Sequence, residues 1–135
     1  MSAAVHGPLA VELASAPVIS VEHRVDALGA LRLMHANQIR HLPVLDDGVC
    51  VGLVAEADLL TGLLTRNRGP LPTTGELCHR PAPTVDDHVT RADAARIMHR
   101  SRSDALVIQV GQHVLGVLTA VDLVRSLAEE GNSGY

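Results

Sequence analysis

The 135-residue chain is 47% hydrophobic and 19% charged, a globular rather than disordered balance, and its length holds one ordinary domain or two very small modules sharing a core. With no Trp, no Phe and Tyr135 as its one aromatic residue, it has no platform for base stacking, so stacking readers of nucleic acid are disfavoured. A formal charge of −4 with scattered Arg leaves no electrostatic footprint for nucleic acid or an anionic membrane surface, and no apolar run approaches the ~18 residues of a membrane span.

In chain order, residues 1–8 read as a loose end, and Leu9 to Leu13 predicts a short helix leading to Pro17. Pro17 to Val21 (PVISV) is a brief extended run. From His23 to Asn37 the period changes. Val25, Leu28, Leu31 and Met34 recur at three-residue steps while Arg24, Asp26, Arg32 and His35 lie off that stripe, which predicts an amphipathic helix. Asn37, which tolerates left-handed backbone, marks its end. His41 to Leu45 follows as a strand, Asp46-Asp47-Gly48 as a hairpin turn, and Val49 to Val54 as the antiparallel return. A second helix is expected from about Glu56 to Leu64, with Leu59, Leu60, Leu63 and Leu64 on its apolar face. Thr65 to Gly75, with two Pro and two Gly, reads as a linker.

The series then replays at a constant offset of 64 residues: Glu76-Leu77, Pro81 to Val85, Val89 to Arg100, Ala105 to Val110, a turn at Gly111-Gln112, Val114 to Leu118 and Ala120 to Ala128. Identical pairs at this offset include Glu12/Glu76, Pro17/Pro81, Met34/Met98, Leu42/Leu106, Gly52/Gly116 and Asp58/Asp122. The reading is a first repeat over 9–64, a linker over 65–75, a second repeat over 76–128 and flexible ends at 1–8 and 129–135. Each repeat has about three short strands and two helices, too little to bury its own sheet. The expected fold is therefore α/β (α+β), two β-α-β-β-α repeats packed by a pseudo-twofold axis, with a cleft between them suited to a small ligand.

Chemistry-bearing constellations are sparse. Cys50 and Cys78 lack CxxC spacing and fall in different repeats, so they read as buried thiols in a reducing cytoplasm. The eight His residues show no metal-ligand spacing, and no metal site is assigned. No nucleophile–base arrangement, P-loop or GxGxxG stands out, and Asp46-Asp47 belongs to a turn, so no catalytic residue is assigned and the chain does not read as an enzyme. Asp58 and Asp122 lie at helix starts, where an acidic side chain also serves the helix dipole, and Thr119 alone would serve as a cap.

The strand PVISV, the helix ending RLMHANQ, the IRHLPV strand with its Asp-Gly turn, and the ending Gly116-Val-Leu-Thr119-Ala-Val-Asp122, less complete as Gly52-Leu-Val-Ala55-Glu-Ala-Asp58, together resemble the tandem cystathionine-beta-synthase (CBS) domain pair, or Bateman module. The resemblance covers nearly the whole chain and implies a free-standing pair. It implies binding of an adenosyl compound, AMP, ADP, ATP or S-adenosylmethionine, in the cleft, each site taking Thr and Asp from one repeat and the first two strands from the other. An Asp accepts from ribose hydroxyls, a Thr hydroxyl donates to a phosphate at the helix N-terminus, and Arg or His neutralises it.

Carried over residue by residue, the resemblance gives one complete ligand site: Thr119 and Asp122 with Val18, Ile19, Ser20, Ile39, Arg40, His41 and Pro43. The second site, Ala55 and Asp58 with Ala82, Pro83, Thr84, Ser103, Asp104 and Ala105, lacks the hydroxyl and has Asp104 where the first has Arg40. It is expected to be empty or to take neutral adenosine. The expected function is a cytoplasmic, ligand-sensing regulatory homodimer that signals to an unknown effector protein and requires no cofactor. A ligand-free scaffold for protein partners is the alternative, with an enzyme or nucleic-acid binder last.

Overall fold

The computed structural model describes residues 7–14 and 18–133. Residues 1–6, most of the expected loose start, and Pro17, which opens the PVISV run, lie outside the described residues. The elements are α1 (Ala10–Leu13), β1 (Val21–Glu22), α2 (Ala27–Asn37), β2 (His41–Asp46), β3 (Val49–Ala55), α3 (Glu56–Thr65), α4 (Thr74–Leu77), β4 (Thr84–Val85), α5 (Arg91–Ser101), β5 (Ala105–Val110), β6 (His113–Thr119) and α6 (Ala120–Ser133). The class is mixed α/β, as expected.

Local chemistry sets the boundaries. The Asp26 carboxylate accepts from Gly29 N at 2.9 Å and caps α2, which begins at Ala27 rather than at His23. Val25 therefore precedes the helix, and Ala27, Ala30, Leu31 and Met34 form the buried face. The left-handed residue at its end is Gln38 (φ 56, ψ 42), not Asn37. Asn37 is the last helical residue, and its amide donates to the Leu33 carbonyl at 2.9 Å. Arg102 (φ 53) ends α5 in the same way, 64 residues on, and Thr90 takes the Asp26 role by accepting from Asp93 N at 3.1 Å.

β2 and β3 are antiparallel, joined through Asp47 (φ 52) and Gly48 (φ 80), two positive φ values in succession that make a turn twisted with the strands. β1 adds in parallel with Val21 opposite Val44, giving the order β1-β2-β3. The second sheet repeats it as β4-β5-β6, and the register shifts at Val44/Leu45 and at Ile108/Gln109, again 64 residues apart.

The described residues divide into two compact units, one within Ile19–Ala82 and the other from the described parts of Met1–Val18 and Pro83–Tyr135. Repeat and unit are different divisions of the chain. α4, the opening helix of the second repeat, belongs to the first unit, where Thr74 Oγ1 donates to the Glu22 carbonyl at 2.9 Å and Ala27 N donates to Pro72 O at 2.8 Å. α1 belongs to the other, where Ala10 N donates to Val89 O at 2.8 Å and Arg91 N to Pro8 O at 2.8 Å.

Each unit has its own aliphatic core. Val21, Ala30, Met34, Leu42, Val44, Val54 and Leu59 fill one; Ala10, Val85, Ala94, Met98, Leu106, Ile108 and Leu118 fill the other. A fully buried Leu or Met contributes about 1.5–3 kcal/mol, so these cores can hold the sheets without aromatic residues. Cys50 and Cys78 share the Ile19–Ala82 unit, and both are half-buried free thiols rather than fully buried ones. Burial pushes the Cys50 thiol pKa up. α6 continues to Ser133, past Ala128 and into the segment read as a flexible end. Arg91 ties it to α5, bonding Ser126 Oγ at 2.9 Å and Glu130 at 2.8 Å.

Candidate functional site: the strand-to-helix ends

β3 runs directly into α3 and β6 directly into α6, so the last strand residues, Ala55 and Thr119, become the helix N-caps. The residue before the preceding strand is tied to the same place: Glu56 N donates to Arg40 O at 2.9 Å, and Ala120 N to Asp104 O at 2.9 Å. With His41 opposite Ala55 and Ala105 opposite Thr119, each unit gathers a strand start and a helix start at one end of its sheet.

The helix start of α6 is a closed hydrogen-bonded pair. Asp122 Oδ2 accepts from Thr119 N at 2.8 Å and from Thr119 Oγ1 at 3.1 Å, while Thr119 Oγ1 accepts from Asp122 N at 3.3 Å. The other carboxylate oxygen, Oδ1, accepts from Arg125 Nη1 at 3.2 Å. Asp122 is only 4% exposed, and it is the one buried acidic residue among the described residues. The helix-capping role weighed in the sequence is therefore present, and it leaves the acid desolvated and oriented by an adjacent hydroxyl.

α3 begins differently. Asp58 Oδ2 accepts from Ala55 N at 2.8 Å, but Ala55 has no hydroxyl, and Oδ1 is met by His79 Nε2 at 3.0 Å. His35, read as a helix-end residue, bonds Glu56 at 2.9 Å, and His23 pairs with Asp46 at 3.3 Å. Arg40 is exposed and His41 half-buried.

Of the expected complete site, Val18, Thr119 and Asp122 lie in one unit, and Ile19, Ser20, Ile39, Arg40, His41 and Pro43 in the other. Of the weaker site, Ala55, Asp58 and Ala82 lie in the Ile19–Ala82 unit, and Pro83, Thr84, Ser103, Asp104 and Ala105 in the other. Two residues at these positions were missed. Arg125 lies three residues after Asp122, a helical spacing that the sequence does display. His79 lies 21 residues from Asp58, and its repeat-matched position is Ser15, so neither spacing nor repetition signals it. Asp86, Asp87 and His88 bring their ligand atoms within 4.8 Å of one another, all on a polar stretch where Asp87 and His88 pair at 3.1 Å.

A family model described as the CBS domain matches residues 10–65 and 75–129. The chain belongs to the CBS domain family. The uncharacterized protein MJ1404 of Methanocaldococcus jannaschii is 29% identical over 119 residues, covering 77% of this chain; the chain spans 28% of that protein's length. The CBS domain pair of protein MJ0100, solved with 5'-methylthioadenosine and S-adenosyl-L-methionine, has a TM-score of 0.81 at 21% identity over 90% of this chain and 97% of that one. CBSX2, solved with AMP, has a TM-score of 0.78 at 21% identity over 91% and 98%. At these identities the two structures establish the fold. In these CBS domains the ending that runs from Gly116 to Asp122, and from Gly52 to Asp58, is the strand-to-helix junction, complete with Thr119 at β6–α6 and without its hydroxyl at β3–α3.

Proposed function

We propose that this CBS pair is a regulatory, ligand-sensing module that binds an adenosyl compound, AMP, ADP, ATP or S-adenosylmethionine, and passes its occupancy to a partner protein. The observation that carries the reading is the buried Asp122 carboxylate, oriented by Thr119 at the start of α6. A ribose diol donates two hydrogen bonds, and a desolvated carboxylate accepts them more strongly than one in water. Arg125, which now meets Oδ1, has its side chain 59% exposed and can turn to solvent when a ligand hydroxyl takes its place. In this reading Arg40 and His41 supply charge for a phosphate, and Val18, Ile19, Ser20, Ile39 and Pro43 supply apolar and backbone contacts for the rest of the ligand. The adenosyl compounds bound by the structurally similar MJ0100 pair and CBSX2 support the ligand class. The ligand acts as a signal, with no cofactor and no catalysis required.

Thermal unfolding against AMP, ADP, ATP, S-adenosylmethionine and NAD tests this directly. A ligand at 100 times its dissociation constant stabilises by about 2.7 kcal/mol. Absence of any shift, with no calorimetric heat for any adenosyl compound, would overturn the reading. A second reading, a ligand-free scaffold that pairs with itself or another protein, is favoured by α6, where Val121, Val124 and Leu127 are exposed along one side.

A further inference from the structure

Asp58 and Asp122 are matched by the repeat, each the third residue of its helix, yet their partners come from different places. Asp122 Oδ1 takes Arg125 from the next turn of its own helix at 3.2 Å. The residue matching Arg125 is Thr61, and Asp58 Oδ1 is met by His79 instead, at 3.0 Å. The residue matching His79 is Ser15, which has no ring nitrogen to offer.

The fold places His79 there. Leu53 N donates to His79 O at 3.1 Å and His79 N to Leu53 O at 2.9 Å, so the segment runs along the free edge of β3. That approach needs Gly52, because a Cβ on residue 52 would lie 2.6 Å from Cys78 Sγ and 2.7 Å from His79 O. The ring itself remains 73% exposed, whereas the Asp58 side chain is 23% exposed. With Ala55 N on Oδ2, both Asp58 oxygens have a partner.

We propose that His79 is an internal competitor for the Asp58 carboxylate, so that the Asp58 position accepts the hydroxyls of an adenosyl ligand only as the histidine leaves. This rests on the ligand reading above. The displaced ring moves from one exposed position to another, so it loses little solvation, and exposed side-chain pairs of this kind are weak. The competition is therefore a bias of about two- to fivefold in affinity rather than a block.

Calorimetric titration with adenosine, a neutral adenosyl compound, tests the competition in the full chain. His79→Ala and His79→Ser are each expected to strengthen adenosine binding about two- to fivefold, or to reveal a second equivalent. Adding Asp58→Ala to either variant is expected to abolish the gain. The serine variant carries the residue of the matched position and serves if the alanine variant misfolds. Wild-type binding left unchanged or weakened by both substitutions overturns the competition while the ligand reading stands. Absence of adenosine and AMP binding in the wild type and in both variants overturns the two together.

Discussion

Gly52 and His79 approach so closely that a Cβ added to Gly52 would lie 2.7 Å from the His79 carbonyl oxygen. A backbone oxygen held in register by two hydrogen bonds with Leu53 cannot yield as a flexible side-chain tip would. Gly52→Ala is thus expected to destabilise the protein by about 1–3 kcal/mol, the usual range for overpacking. Chemical denaturation followed by circular dichroism would check it. An alanine variant as stable as the wild type would contradict the close approach.

Asp122 and Asp58 make a second comparison. Asp122→Ala removes an acceptor shared by Thr119 N, Thr119 Oγ1 and Arg125 from a buried site, so a loss of about 1–3 kcal/mol in stability is expected. Asp58→Ala, at a more open position with no hydroxyl beside it, is expected to lose less. Urea unfolding of both variants reads this difference without any ligand present.

Arg40 is exposed, so Arg40→Ala should alter stability by less than about 0.5 kcal/mol. If it neutralises a ligand phosphate, the same variant weakens AMP more than adenosine, and the gap narrows with added salt. Parallel titrations of the two compounds at low and high ionic strength would show it. Equal losses for both would assign Arg40 no phosphate role.

The exposed side of α6 bears on self-association. Val121, Val124 and Leu127 recur every three residues, and Leu64 on α3 is 81% exposed. We expect the wild type to scatter light at twice its 14.3 kDa mass and Val124→Asp to shift it towards the monomer. A monomeric wild type at micromolar concentration would remove the dimer.

At the far end of α6, hydrogen bonding and charge from Arg91 hold the Glu130 carboxyl below the usual carboxylate range. A depressed folded-state pKa stabilises above the unfolded value and is lost as pH falls through the folded one, so the contact should fail only in acid. Hydrogen exchange across residues 126–133, taken relative to the intrinsic amide rate at each pH, is expected to quicken below that range in the wild type. In Arg91→Ala it should be fast already at neutral pH.

Local apolar spacing, the Asp-Gly turn and the 64-residue offset carried the element order and the family resemblance, because spacing, turn chemistry and repetition are written in the residues themselves; the separate aliphatic core of each unit was not, since repeats this small were expected to share one. The caps at Asp26 and Thr90, the left-handed residues Gln38 and Arg102 and the continuation of α6 shifted boundaries by a few residues, since side-chain hydrogen bonds and packing decide where a helix stops. Which unit receives each opening helix was not legible. α4 is held by Thr74 on the Glu22 carbonyl, 52 residues away, and no periodicity encodes so distant a contact. The same holds for the partner of Asp58: a carboxylate at a helix start can be read from sequence, but the histidine that reaches it is set by how the later chain lies along the edge of β3.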